Sequence, residues 1–125
     1  MPYIFIYASP EAKRKIYPHF ERIARTLREV TANTLPDLSD NPLKVSVCLF
    51  TWDLGQNMAD VVALGFASRS PIRQKYLDEW RKLMLRAIEV YLRDDDPACE
   101  DLKNLQFECF PMMPPASWGR SRKRG

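Results

Sequence analysis

The sequence follows one plan twice, and this internal repeat limits the folds open to the chain. In each copy an apolar segment leads into a Ser-Pro pair, Ser9-Pro10 and then Ser70-Pro71. Serine before a helix accepts a hydrogen bond from an otherwise free backbone N–H, and proline in the first turn removes a donor that has no partner there. Residues related by an offset of 60 positions are similar in the pairs Phe20 and Trp80, Ile23 and Leu83, Glu29 and Glu89, and Val30 and Val90. The chain therefore reads as two similar strand–helix–strand units.

The first unit starts with the aromatic and β-branched run 3–7, which is typical of a strand buried on both faces. Apolar residues at spacings of three and four then predict a helix over 11–31. Pro18 lies inside this helix, so a bend or a late start is expected there. Turn-forming residues fill 33–43, 45–50 is predicted to be a strand, and 53–57 is predicted to be a turn.

The second unit repeats the order with a strand at 61–67, a helix opening at Ser70-Pro71, and a last strand at 105–110. The helix carries its own apolar face, formed by Leu77, Trp80, Leu83, Met84, Ala87, Ile88 and Tyr91. It is expected to end at 94–97, because proline cannot continue a helix. The consecutive acids at 94–96 are interpreted as a solvated helix end rather than a metal site.

Two such units with right-handed crossovers predict an α+β fold: a four-stranded sheet with two helices on one face. The pseudo-repeat spans 2–51 and 61–111 within a single domain, 1–125. The other face of the sheet would carry apolar residues with nothing to cover them. We therefore expect it to be buried by further copies of the chain.

Composition narrows the function classes without identifying one. Hydrophobic residues make up 46% and charged residues 28%, which is typical of a folded protein. The net charge of +3 is concentrated in the basic tail, 118–125, so the body offers little attraction to a nucleic acid. The three cysteines form no CxxC pair, and no stretch resembles a signal peptide or a membrane span. These features favour a cytoplasmic protein with no metal and no nucleic-acid or membrane partner.

Pro2 directly before a hydrophobic strand, followed by the Ser-capped helix and the repeat, resembles the tautomerase superfamily over nearly the whole chain. The resemblance is to the longer members with two fused units, as in the isomerase, decarboxylase and macrophage migration inhibitory factor branches. It implies a trimer, no cofactor, and the secondary amine of Pro2 as the catalytic group once Met1 is removed.

Two further segments carry the resemblance and supply candidate binding residues. The run 67–75, with Arg69 and Arg73, is similar to the arginine-bearing turn that binds substrate carboxylates in the isomerase and decarboxylase branches. The segment 117–120, with Trp118, is similar to a C-terminal segment of the decarboxylase-like branch, although a phenylalanine is missing. Phe50 is a further candidate for the pocket.

This chain also departs from the family's pattern. Ala8 and Ser46 stand where the short 4-oxalocrotonate tautomerase type has arginines. The pairing of arginines and the substrate of that type are therefore not carried over.

Two kinds of chemistry are open to such an amine. If burial or nearby cations lower its pKa, it acts as a general base and moves a proton on a small 2-oxo or 2-hydroxydienoic acid. If it stays protonated, it favours decarboxylation, hydration or dehalogenation of a small 3-oxo or unsaturated acid. A binding protein that keeps the fold without the chemistry, or a nucleic-acid adaptor that uses the basic tail, is the third possibility.

Overall fold

The sheet is built from two parallel strand pairs that meet in the middle. In this computed structural model, which describes residues 2–51, 60–68, 70–92 and 97–113, the strand order is β2-β1-β3-β4. The strands are β1 (Tyr3–Ala8), β2 (Ser46–Thr51), β3 (Val61–Phe66) and β4 (Phe107–Met112). β1 runs parallel to β2, β3 runs parallel to β4, and β1 and β3 are antiparallel. The predicted architecture of two fused β-α-β units is confirmed.

The helical part of the first unit is divided at Pro18. Helix α1 (Pro10–Ile16) is followed by a 3₁₀ turn (Tyr17–His19) and then by α2 (Phe20–Thr34). Ser9 caps α1 as predicted, because its hydroxyl oxygen accepts a hydrogen bond from the N–H of Ala12 at 3.2 Å. Proline has no N–H to continue the helical ladder, which accounts for the predicted bend. The continuous helix over 11–31 is corrected to two helices, and the loop predicted to start at 33 starts after Thr34.

The second unit is divided in a similar way. Helix α3 (Pro71–Gln74) is separated by two turn residues from α4 (Leu77–Leu92). The N–H of Tyr76 bonds the carbonyl of Arg73, three residues back, at 2.9 Å, and this tighter turn interrupts the α-helical ladder. The last strand lies at Phe107–Met112, two residues later than predicted, because a 3₁₀ helix (Pro97–Leu102) precedes it.

The core lies between the helices and one face of the sheet. Ile4 and Ile6 of β1 and Val61 and Ala63 of β3 are completely buried there. The helices contribute the apolar stripes that the sequence predicts, including Ile16, Ile23, Leu27, Trp80, Met84 and Ile88. None of the described helices is long and apolar enough to span a membrane.

The opposite face of the sheet, here called the outer face, is mainly apolar and aromatic. Pairing across the strands places on it Ser46, Cys48 and Phe50 of β2, Tyr3, Phe5 and Tyr7 of β1, Val62, Leu64 and Phe66 of β3, and Glu108, Phe110 and Met112 of β4. In the single chain the side chains of Tyr3, Phe50 and Phe110 are 44%, 42% and 48% exposed. The strand 3–7 was expected to be buried on both faces, but within one chain only its helix-facing side is buried.

Candidate active site

Pro2 lies directly before β1 and is held at the end of the sheet. Its side chain is fully buried, and its carbonyl accepts a hydrogen bond from the N–H of Ser46, at the start of β2, at 3.1 Å. The ring nitrogen is an amide while Met1 precedes it and becomes a secondary amine if Met1 is removed. Burial removes water from the surroundings of this nitrogen, and that disfavours the protonated form of an amine.

The strand register brings the segment after β3 to the same end of the sheet as Pro2. Tyr3 pairs with Phe66 across the antiparallel β1–β3 ladder, so Pro2 and Ala67 are the next neighbours beyond this pair. Ala67 is 2% exposed, and its N–H bonds the carbonyl of Met112 at 3.1 Å. The sheet topology thus places the start of the 67–75 run beside Pro2, which carries the candidate amine. Arg69 of that run lies outside the described residues.

Arg73 is buried at this end of the molecule, in an ion pair. Its Nε donates to Oδ2 of Asp37 at 2.9 Å, and its Nη2 lies 2.7 Å from the same oxygen. Its Nη1 donates to the hydroxyl of Ser68 at 2.8 Å and, more weakly, to the carbonyl of Ser68 at 3.4 Å. The guanidinium therefore has protein partners on all three of its nitrogens.

The ion pair also changes the acid–base behaviour of Asp37. The hydrogen bond from Arg73 holds the pKa of the Asp37 carboxyl below its usual value, with a smaller contribution from the charges of Arg73 and Lys44. Desolvation raises the pKa, but by less than these interactions lower it. Asp37 is consequently a carboxylate at neutral pH.

Phe50 does not lie near Pro2 within one chain. Phe50 pairs with Tyr7, five residues further along β1 than Pro2. At about 3.3 Å per residue, this places it roughly 17 Å from Pro2 along the strand. Any contact of Phe50 with a Pro2 site would have to be made with a second copy of the chain. Trp118, the remaining candidate, lies outside the described residues.

The outer face carries a continuous layer of aromatic rings. Phe5 contacts Phe50 and Phe66, with ring centroids 5.8 and 5.5 Å apart, and the rings of Tyr7 and Phe50 stack at 5.4 Å. Such a layer of large apolar side chains on a sheet face is typical of an interface rather than of a solvated surface.

A groove between α2 and α4 has a different character. Its volume is about 590 Å³, and its walls come from the two helices and the turn before α4. The lining residues are Thr26, Val30, Asn33, Thr34, Tyr76, Glu79, Leu83, Arg86, Ala87 and Val90. It contains none of the candidate site residues. Among the described ranges, no group of three or more His, Cys, Asp or Glu side chains is arranged to hold a metal ion.

Two participants at the Pro2 end of the sheet were missed by sequence reasoning. Asp37 and Ser68 approach Arg73 only through the fold, since Asp37 lies 36 residues before it in sequence. Asp37 follows a proline in a segment rich in turn formers, so its local pattern indicates only a turn. No local signal marks it as the partner of a buried arginine.

The comparison with solved structures agrees with this architecture. No family model matches the chain, and no curated protein sequence is significantly similar to it. Among solved structures, 5-carboxymethyl-2-hydroxymuconate delta-isomerase superposes with a TM-score of 0.55 at 14% identity, over 100% of this chain and 89% of that one. The native structure of a second protein gives 0.52 at 16% identity, over 95% and 99%. A trimer of wild-type fused 4-OT gives 0.48 at 11% identity, over 90% and 86%.

The chain has the fold of the tautomerase superfamily. The resemblance drawn from Pro2, the capped helices and the repeat is therefore confirmed at the level of the fold.

Proposed function

We propose that this protein is a cofactor-free tautomerase or isomerase that moves a proton on a small 2-oxo or 2-hydroxydienoic acid. Pro2, freed by removal of Met1, is the general base. The observation that carries the proposal is the placement of a fully buried proline before β1, at the sheet end where the arginine-bearing segment leaves β3.

The proposed chemistry needs an amine that is partly unprotonated near neutral pH. An ordinary chain-terminal amine has a pKa of about 7.7–8.0, so modest desolvation is enough to make it an effective base. The buried ring of Pro2 supports this, because its surroundings exclude water. The base removes a proton next to the carbonyl and returns it to another carbon, and the double bond moves without gain or loss of electrons.

A carboxylate substrate also needs a cation to orient it and to stabilise the charge of the dienolate. We propose Arg69 for this role, since a guanidinium binds a carboxylate through two parallel hydrogen bonds. Arg73 was a second candidate, but Asp37 and Ser68 already engage its nitrogens. Trp118 remains a proposed lining residue, and Phe50 is proposed to take part only from a neighbouring copy.

We further propose that the working form is a homotrimer in the cytoplasm. The apolar outer face supports assembly, because an uncovered aromatic layer of this kind favours association. Assembly would also bring side chains of one copy, such as Phe50, towards the Pro2 end of another.

The test compares the purified protein with Pro2→Ala, using Pro10→Ala as a matched proline control at the other end of β1. Ketonisation of phenylenolpyruvate or 2-hydroxymuconate is followed by absorbance, and the intact mass shows whether Met1 is absent. We expect a loss of about a hundredfold or more for Pro2→Ala and nearly full activity for Pro10→Ala. Equal activity of Pro2→Ala and the parent protein, or a retained Met1 in an active sample, contradicts the proposal.

A second candidate is a decarboxylase, hydratase or dehalogenase that uses protonated Pro2 on a small 3-oxo or unsaturated acid. This chemistry requires the Pro2 amine to stay protonated at neutral pH, which a nearby negative charge would promote. Turnover of a 3-oxo acid without ketonisation of the enols selects this candidate. Ligand binding that survives Pro2→Ala selects a non-catalytic binding protein.

A further inference from the structure

Among the described residues, Arg73 is the only Lys, Arg, Asp or Glu side chain that is buried. Removing a guanidinium from water is costly unless hydrogen bonds and an opposite charge compensate for it. Here the compensation is nearly complete, since Asp37 accepts a hydrogen bond from Nε and forms an ion pair with Nη2, and Ser68 accepts from Nη1. A buried pair of this kind is suited to fixing the geometry of the segments that it joins.

The two residues and Ser68 come from three separate segments. Asp37 lies in the 3₁₀ turn Pro36–Leu38 that follows α2, Ser68 follows β3, and Arg73 is in α3. Helix α3 has only four residues, too few to be stable as an isolated helix. Its start is held by Ser70, whose hydroxyl accepts from the N–H of Arg73 at 3.1 Å. The position of α3 therefore depends on contacts with other parts of the chain. Asp37 supplies the charged contact among them.

We propose that Asp37 and Arg73 are a positioning pair: they hold Ser68, two residues after β3, and the start of α3 in place at the Pro2 end of the sheet and so set the affinity for a carboxylate substrate, and Arg73 itself does not contact the substrate. This inference rests on the proposed function of the Pro2 site. Its physical basis is that Arg73 is 7% exposed and its nitrogens are engaged. A substrate carboxylate would have to displace Asp37, which carries the same negative charge.

Steady-state kinetics of three variants separate positioning from direct binding. The variants are Asp37→Asn, Arg73→Gln, and the double variant that combines them. Misplacement of Ser68 and α3 weakens substrate orientation, so each single change is expected to raise KM about ten- to a hundredfold, with kcat changed less than about threefold. Because both residues act through one contact, the double variant should be no worse than the poorer single variant.

Direct binding by Arg73 predicts a different pattern. Asp37→Asn would then release the guanidinium and lower KM or leave it unchanged, whereas Arg73→Gln alone would raise it. That pattern overturns the proposal. Glu11→Gln is the matched control: it breaks the Glu11–Lys15 pair, which is 3.7 Å long and lies on α1 after the far end of β1. It is expected to leave KM and kcat unchanged.

Hydrogen exchange provides a readout that does not depend on turnover. Peptides covering 67–76 should exchange at least about tenfold faster in Asp37→Asn than in the parent protein, while peptides of β1 should not change. Ser68→Ala removes only the 2.8 Å hydrogen bond from Arg73 to the Ser68 hydroxyl and should speed exchange by a smaller factor. This second variant keeps the test available if Asp37→Asn folds poorly. Unchanged exchange at 67–76 in both variants contradicts the pair. If the parent protein shows no Pro2-dependent activity, the proposed function fails, and the exchange result still decides whether the pair holds Ser68 and α3 in place.

Discussion

Gly65 in β3 gives a prediction whose size follows directly from the packing, because a side chain there would meet Trp80. A β-carbon placed on Gly65 would lie 2.9 Å from both Cη2 and Cζ2 of Trp80. Carbon atoms pack best at about 3.5–4.0 Å, so Gly65→Ala forces a displacement of roughly 0.6 Å or more. The clash is on the helix side of the sheet, within the buried core.

Trp80 has little freedom to move away. It is completely buried, and its indole N–H donates to the hydroxyl of Thr31 at 2.9 Å. Thr31 in turn donates to the carbonyl of Leu27 at 2.8 Å, which ties the indole of α4 to the backbone of α2. Overpacking of a rigid site typically costs about 1–3 kcal/mol, whereas an unstrained Gly-to-Ala change stabilises by about 0.4–1 kcal/mol. We expect a net destabilisation of about 1–2 kcal/mol.

The assay is urea unfolding at one fixed protein concentration, applied to Gly65→Ala in two backgrounds. In the parent background the free energy of unfolding should fall by the amount given above. In a Trp80→Phe background the two clashing ring atoms are absent, so the same change should be neutral or slightly stabilising. An equal loss in both backgrounds, or no loss in the parent, refutes the reasoning.

Four further predictions concern the charge of Asp37, the thiol of Cys109 and assembly. The pKa of Asp37 is lowered in the folded state, so the stability that its carboxylate contributes is present above about pH 3.8 and is lost as the pH falls through the folded pKa. The difference in unfolding free energy between the parent and Asp37→Asn should therefore be constant from neutral pH to about pH 5 and shrink below it. A constant difference down to pH 2 contradicts this. Burial raises the pKa of Cys109 to about 12, so iodoacetamide at pH 8 should not modify it in the folded protein, as peptide mapping can show. Its raised pKa also means that stability is lost as the pH rises above about 9, which unfolding curves between pH 8 and pH 11 can measure. Phe110→Lys places a charge on the outer face at a residue that is 48% exposed in one chain, so sedimentation should show a folded monomer. A thiol reagent should then label Cys48, which is exposed in the single chain, rapidly. An unchanged oligomer would exclude this face as the interface.

The elements of the fold were predictable because each has a local cause. The Ser-Pro pairs, the helical spacing of apolar residues and the β-branched runs specify the order of strands and helices, and Ser9 and Ser70 cap their helices as their sequence context indicates. The internal repeat then selects the strand pairing, since two similar units most simply build one sheet. Details of the ends were less accessible, as in β4, where the 3₁₀ helix before it shifts the strand by two residues.

The candidate site was predictable only in its framework. A proline before the first strand and an arginine-bearing run after the third are visible in the sequence, and the antiparallel register of β1 and β3 brings these segments together. The pairing of Asp37 with Arg73 depends instead on how the fold brings the 3₁₀ turn Pro36–Leu38 and α3 together. The local sequence around neither residue indicates this contact. Phe50 shows the converse case: its aromatic character suggested a pocket, but its register places it opposite Tyr7.

The proposed function requires the ring nitrogen of Pro2 to be a free and reactive amine. Its most direct measurement is labelling with 3-bromopropiolate, followed by peptide mass spectrometry and by the residual activity of the same sample. We expect one label per chain, located on Pro2, with activity lost in proportion to labelling and no label in Pro2→Ala. Full activity after complete labelling of Pro2, or labelling that leaves Pro2 untouched while activity disappears, would contradict it.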